Sequence, residues 1–213
     1  NVGALTHAYI PTGLAESKLG FAMQDMVPTI VKAKKMKNIH FIGLHFHIGS
    51  QILDMSDFVA LCHRINEIQD EMDQLDINIA NINVGGGLGI NYDDPNGQPI
   101  PNFKEYFDTY AQHLVLREGQ QLHFELGRAV VGQCGTLITR TLYVKQGTCK
   151  QFAIVDAGMT DLIRPALYQA THKIENISSN EPCEVYDVVG PNCESSEVFA
   201  KSIEFNKCHR GDL

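Results

Sequence analysis

The chain has 213 residues, 44% of them hydrophobic, and a formal net charge of −8. This length fits one large domain, or one domain and part of another, and the apolar content supports a real core and excludes a disordered chain. The acidic balance argues against nucleic acid as the main partner, because a phosphate backbone calls for a basic face, although a few arginines can still bind a small anion.

Asn1 to Ile10 reads as a strand already under way, without an initiating Met, and no basic start leads into an apolar run as in a signal peptide. Val27 to Lys37 has apolar residues at helical spacing and closes on a basic cluster, as suits a helix C-terminus. Ile39 to Ile48 is a buried strand. Asp57 to Leu75 is an amphipathic helix whose inner stripe is Phe58, Leu61, Ile65, Ile68 and Met72. Ile77 to Val84 is a second strand, closed by Gly85-Gly86-Gly87. Phe103 to Leu116 is helical and Gln121 to Leu126 is a third strand. Such alternation predicts a parallel sheet with crossover helices.

After Arg128 the texture changes. Leu137 to Lys145, Gln151 to Val155 and Val185 to Val189 read as strands amid Gly, Thr and Ser. A β-rich region is expected from Gly132, dividing the chain into residues 1–131 and 132–213. His209 to Leu213 reads as a turn leading onward, and both ends are expected to be cut from a longer polypeptide. The apolar runs are too short to cross a membrane. The six cysteines include no Cys-x-x-Cys pair, which suits free thiols in a reducing cytoplasm.

Three strand ends carry chemistry: His45-Phe46-His47-Ile48-Gly49-Ser50, Gly85-Gly86-Gly87-Leu88-Gly89, and Glu125-Leu126-Gly127-Arg128. In a parallel α/β barrel the active site lies at the C-terminal strand ends. His45 and His47, two apart on a strand, point to one face. They can hold a metal or serve as structural histidines. Gly49 and Ser50 offer an amide and a hydroxyl to an anion, or form an ordinary turn. The triple glycine lets backbone amides approach a ligand, or makes a tight strand-to-helix turn. It fits neither a dinucleotide fingerprint, since Ile90 stands where Gly or Ala is needed, nor a P-loop. Glu125 and Arg128 are either a surface ion pair or partners for a cationic ring nitrogen and an anion. Further along, Arg164 has the planar fork that suits a carboxylate, with Tyr168 near it in sequence, or is a surface charge before a turn proline, Pro165. Cys193 and Glu194 place a thiol beside a carboxylate in a loop, or are an inert small side chain and a solvated charge.

Taken together, GLHFHIGSQ (43–51), NVGGGLG (83–89), ELGR (125–128), VDAGMTDLIRPALY (155–168) and VVGPNCESSE (188–197) resemble the alanine-racemase-fold decarboxylases that use pyridoxal phosphate, and within them the diaminopimelate decarboxylases. The resemblance covers nearly the whole chain in the right order. It implies an α/β fold: the later strands of a PLP-binding (β/α)8 barrel in residues 1–131, then part of a β-rich substrate and dimerisation domain in 132–213. It implies decarboxylation of meso-2,6-diaminopimelate to L-lysine and CO2 with pyridoxal 5'-phosphate as cofactor and no metal. His47 is then expected to stack on the cofactor ring. Ser50 and the amides of Gly86, Gly87 and Gly127 would hold the phosphate, beside Arg128. Glu125 would keep the pyridine nitrogen protonated. Arg128, Arg164 and Tyr168 would bind the distal carboxylate of the substrate, Glu194 its distal amino group, and Cys193 would return the proton. The Cys-Glu-Ser loop would reach a partner subunit, which implies a cytoplasmic homodimer with shared active sites.

Leu126 replaces the family's usual proline, which frees the torsion and restores an N–H. The family's Schiff-base lysine motif, Tyr-Ala-x-Lys-Ala, does not occur; Lys18, Lys32 and Lys201 lie in other contexts. That motif and a late Gly-Ala-Tyr stretch are expected outside this sequence, so this stretch alone is expected not to turn over. Two other readings stand beside this one: a non-catalytic pseudoenzyme of the same fold, and a metal-dependent barrel hydrolase using His45 and His47.

Overall fold

The computed structural model describes residues 19–213. The strand expected over Asn1 to Ile10 lies outside the described residues. The chain divides into two compact units, Asn1–Ile90 with Pro99–Cys134, and Asn91–Gln98 with Gly135–Leu213.

The first unit alternates helix and strand: α1 (Met23–Lys34), β1 (Gly43–His45), α2 (Met55–Gln74), β2 (Asn81–Asn83), α3 (Phe103–His113), β3 (Gln121–His123) and a short α4 (Arg128–Val131). The strands form one parallel sheet in the order β1-β2-β3, with His45, Asn83 and His123 in one register row. They are shorter than the apolar runs suggested, but the ladder continues past them: Phe46 N–H donates to Asn83 O at 2.8 Å, Val84 N–H to His123 O at 3.0 Å and Glu125 N–H to Gly85 O at 2.8 Å.

The predicted stripe of α2 is the core: Phe58, Leu61, Ile65, Ile68 and Met72 are all buried, each worth about 1.5–3 kcal/mol on removal from water. Cys62 and Gln69 join them. Phe58 meets Tyr106 of α3 edge-on, with ring centroids 4.9 Å apart. Asp54 caps α2 by accepting from Ser56 N–H at 2.9 Å. Asn102 caps α3 by accepting from Glu105 N–H at 3.1 Å, and its amide donates to the Glu105 carboxylate at 2.9 Å. The first bond satisfies a backbone donor that a helix start otherwise leaves open, and the second ties the two side chains together. α1 begins four residues before the expected Val27 and carries Pro28 inside it, a position that gives up one helical hydrogen bond.

The second unit is a mixed four-stranded sheet in the order β4-β5-β6-β7, built from β4 (Thr141–Gln146), β5 (Gln151–Val155), β6 (Cys183–Val189) and β7 (Val198–Asn206), with α5 (Arg164–Tyr168) between β5 and β6. The outer pairs are antiparallel and β5 runs parallel to β6. Ala153, Val155, Tyr186, Val188, Phe205 and Cys208 form its core. β7, the longest strand, and α5 are absent from the elements expected from sequence.

Candidate active site

In the first unit the level strand tips release the three motifs side by side. The glycines are there first for the protein's own backbone. A Cβ on Gly86 would stand 2.3 Å from Glu125 O, one on Gly85 2.4 Å from Phe46 O, and one on Gly87 2.7 Å from Gly49 O. Gly85 and Gly87 also sit at φ +71° and +108°, where a side chain is strained. The middle turn therefore packs between its two neighbours only because it has no side chains.

Gly86 N–H donates to His47 Nδ1 at 3.4 Å. The accepting nitrogen carries no proton, so the neutral ring keeps its hydrogen on Nε2. Burial first, and then neighbouring His45, pushes the His47 pKa below its ordinary value, against the opposing pull of Glu125. His45 is the last residue of β1, whereas His47 lies beyond the strand, so the two do not act as one strand-borne pair. His45 Nε2 instead lies 3.3 Å from Glu125 Oε2. Among the described residues there is no group of three or more His, Cys, Asp or Glu placed to hold a metal.

Glu125 Oε1 accepts from Asn83 Nδ2 at 2.9 Å, and the same Asn83 accepts from Gly85 N–H at 2.9 Å through Oδ1. Asn83 thus fixes both the glycine turn and the carboxylate. Gln51 does as much for Arg128. Held at φ 61°, its Oε1 accepts from Arg128 at 3.1 Å and from Ile90 N–H at 3.2 Å, while Nε2 donates to Ile90 O at 2.6 Å. Ser50 is half-buried just ahead of it. The amides of Gly87 and Gly127 donate to no acceptor among the described residues, and nothing lies within 4 Å of the Gly127 Cβ position. Two unspent N–H donors, the one at Gly127 beside open space and next to Arg128 in sequence, fit a phosphate. A neutral imidazole and an exposed carboxylate fit a pyridine ring.

In the second unit, Arg164 opens α5 with its guanidinium 4.4 Å over the Tyr92 ring and Nη1 3.0 Å from His172 Nε2. Tyr92 and His172 themselves meet edge-on at 5.0 Å. Tyr168 closes the same helix, half-buried. Cys193 is an exposed free thiol in the loop between β6 and β7. Glu194 beside it accepts from Ser196 N–H at 3.0 Å and from Ser196 Oγ at 2.8 Å through Oε1. The Ser196 amide and then its hydroxyl hold the Glu194 carboxyl below its usual range. Oε2 has no donor among the described residues. A concavity of about 470 Å³ borders this loop, with Lys150, Phe152, Asp187 and Lys201 along its far side.

A family model described as "Pyridoxal-dependent decarboxylase, pyridoxal binding domain" matches residues 1–132. The chain belongs to the pyridoxal-dependent decarboxylase family. Over its whole length it is 68% identical to diaminopimelate decarboxylase of Bacteroides thetaiotaomicron, covering 55% of that protein. It is 39% identical to the Archaeoglobus fulgidus diaminopimelate decarboxylase, covering 52% of it. Among solved structures, diaminopimelate decarboxylase from Helicobacter pylori complexed with L-lysine superimposes with a TM-score of 0.89 at 36% identity, over all of this chain and 52% of that one. The chain spans about half the length of the curated relatives it matches. The expected fold class, part of the PLP barrel of these decarboxylases followed by a β-rich region, is the one these structures have. Gln51 and Asn83, which orient Arg128 and Glu125, stand at the edges of two of the quoted motifs without an expected role, and Tyr92 and His172, which meet Arg164, carry no sequence signal that singles them out.

Proposed function

We propose that the complete polypeptide carrying this sequence converts meso-2,6-diaminopimelate to L-lysine and CO2 with pyridoxal 5'-phosphate. One observation carries the reading: three parallel strands end level, so that His47, the Gly85–Gly87 turn, Glu125 and Arg128 emerge together. The identity to named diaminopimelate decarboxylases supports the choice of substrate.

In this reading, Gly87 and Gly127 amides with the Ser50 hydroxyl hold the phosphate, next to Arg128. Gly86 spends its own N–H on His47 and so sets the ring that stacks on the pyridine. Glu125, steadied by Asn83, holds a proton on the ring nitrogen by Coulomb attraction. When bound, the cofactor supplies the electron sink for the pair released as CO2 leaves. Arg128, Arg164 and Tyr168 take the distal carboxylate of the substrate. Glu194 Oε2 accepts from its distal ammonium group, and Cys193 delivers the proton to the α-carbon. Cys193 and Glu194 serve the site of a partner subunit in a homodimer, and the enzyme is cytoplasmic. Among the described residues no helix is long and apolar enough to cross a membrane. Residues 1–131 form the cofactor-binding part and 132–213 the substrate and dimerisation part.

The test is direct. The complete polypeptide, supplied with pyridoxal 5'-phosphate and meso-diaminopimelate, releases CO2 and L-lysine in equal amounts. A folded, cofactor-loaded protein that forms neither product defeats the proposal.

A further inference from the structure

Glu197 follows the Cys-Glu-Ser motif, yet it is buried, at 4% exposure, in an otherwise exposed loop. Its Oε1 accepts from Met159 N–H at 3.0 Å and from Asn192 Nδ2 at 2.9 Å, and its Oε2 accepts from Asn192 N–H at 2.9 Å. Met159 lies in the segment after β5, and Asn192 lies directly before Cys193. One carboxylate therefore joins two separate loops. The fit is tight, since a Cβ on Gly158 would stand 2.5 Å from Oε1 and one on Gly190 2.4 Å from Oε2. The backbone closes round it as well, with Gly190 N–H on Glu197 O at 3.1 Å and Glu197 N–H on Glu194 O at 3.0 Å. The Asn192 side chain, then its amide, then the Met159 amide hold the Glu197 carboxyl below its ordinary range. It is an anion at neutral pH, where three N–H donors suit it best.

We infer that Glu197 is a positioning residue, a clamp that locks the Cys193–Glu194 loop to the loop after β5 and so sets where the thiol and the Glu194 carboxylate are presented. What those two groups then do rests on the function proposed above; the clamp itself does not. Glu197→Gln is the sharp variant. Every donor facing the carboxylate is an N–H, so the amide must turn its own N–H2 toward one of them. Losing a charge-assisted bond and opposing two donors corresponds to about a 10- to 100-fold effect.

Two readouts are made on the complete, cofactor-loaded polypeptide. Hydrogen exchange at the Met159 and Asn192 amides speeds up at least about tenfold in Glu197→Gln, while the Ala153 amide of β5 is unchanged. In turnover, kcat falls by about 10- to 100-fold as the thiol loses its place, KM for the diamino acid rises only severalfold, and Glu197→Asp recovers part of the kcat. Should Glu197→Gln not fold, Asn192→Ala removes a single contact from an exposed residue and shows the same changes on a smaller scale. Wild-type exchange at both amides in a folded variant overturns the clamp, and so does unchanged kcat. If the unsubstituted protein yields no lysine, the proposed function falls, and the exchange measurement alone decides on Glu197.

Discussion

Replacing Gln51 with Ala isolates what one side chain contributes. Its amide group pairs with both backbone groups of Ile90, which is buried, and with the Arg128 guanidinium. Alanine leaves a buried N–H and a buried C=O without partners, and each unmet group costs about 1–3 kcal/mol. Water entering at the half-buried Gln51 position offsets part of this, so about 2 kcal/mol for the local structure is a reasonable expectation. The assay is hydrogen exchange at the Ile90 amide, where 2 kcal/mol corresponds to roughly 30-fold faster exchange. The backbone torsion supplies a control. Gln51 lies at φ 61°, where glycine avoids a strain of about 1–2 kcal/mol, so Gln51→Gly is more stable than Gln51→Ala although both lose the amide. Exchange at Ile90 within twofold of wild type in Gln51→Ala refutes the assignment. So would an order in which alanine outranks glycine.

Two further predictions follow from the core and from the imidazole. Leu61→Ala, in a fully buried position of α2, lowers stability by about 2–5 kcal/mol through lost burial and the cavity left behind, read as a drop in the midpoint of thermal unfolding; a shift under a degree contradicts the packing described. His47 titrates below the ordinary 6.5, mainly because burial disfavours its charged form. The unfolded chain therefore takes up this proton first as pH falls, so His47 contributes full stability above about pH 6.5 and loses it as pH drops through its lower folded value. Histidine-selective NMR titration checks this, and a His47 midpoint above 6.5 contradicts it.

Local signals in the sequence match the structure. The stripe on α2 follows helical periodicity, and all five of its residues are buried. The three motifs follow apolar runs, and parallel pairing then sets them level. Distant partners and interrupted patterns leave no such signal. β7 breaks its alternation around Lys201 and Ser202, with Ser202 at φ 53° and its amide turned to Asp187 at 2.8 Å. α5 reads as a turn because of Pro165, although proline in the first helical turn gives up no helical bond. Gln51 and Arg128 are 77 residues apart, and Glu197 lies 38 residues from Met159. No spacing rule connects such pairs. The triple glycine suits a ligand or a tight turn, and the closest atoms to its missing side chains are carbonyls of the neighbouring strand ends.

The proposal assigns the distal carboxylate of the substrate in part to Arg128, one of whose partners is a neutral amide: Gln51 Oε1 accepts from its guanidinium at 3.1 Å. A carboxylate in place of that amide would orient the guanidinium equally well but would also offset its charge, and an incoming carboxylate would then compete with it. The amide fixes direction without adding a negative charge. Gln51→Glu separates the two effects. The new carboxylate still accepts from Arg128 and from Ile90 N–H, and only the donation to Ile90 O is lost, so Ile90 amide exchange stays closer to wild type than in Gln51→Ala. Substrate binding behaves in the opposite way. An anion held beside Arg128 weakens its attraction for a second one, and at an effective dielectric typical of a partly exposed site a neighbouring charge about 4 Å away is worth up to about 4 kcal/mol. Discounted for solvent and salt, KM for the dicarboxylate rises by at least about tenfold, more than in Gln51→Ala. Equal KM values for the two variants would mean that Gln51 serves only as a brace, and that the charge on Arg128 is not what the substrate meets.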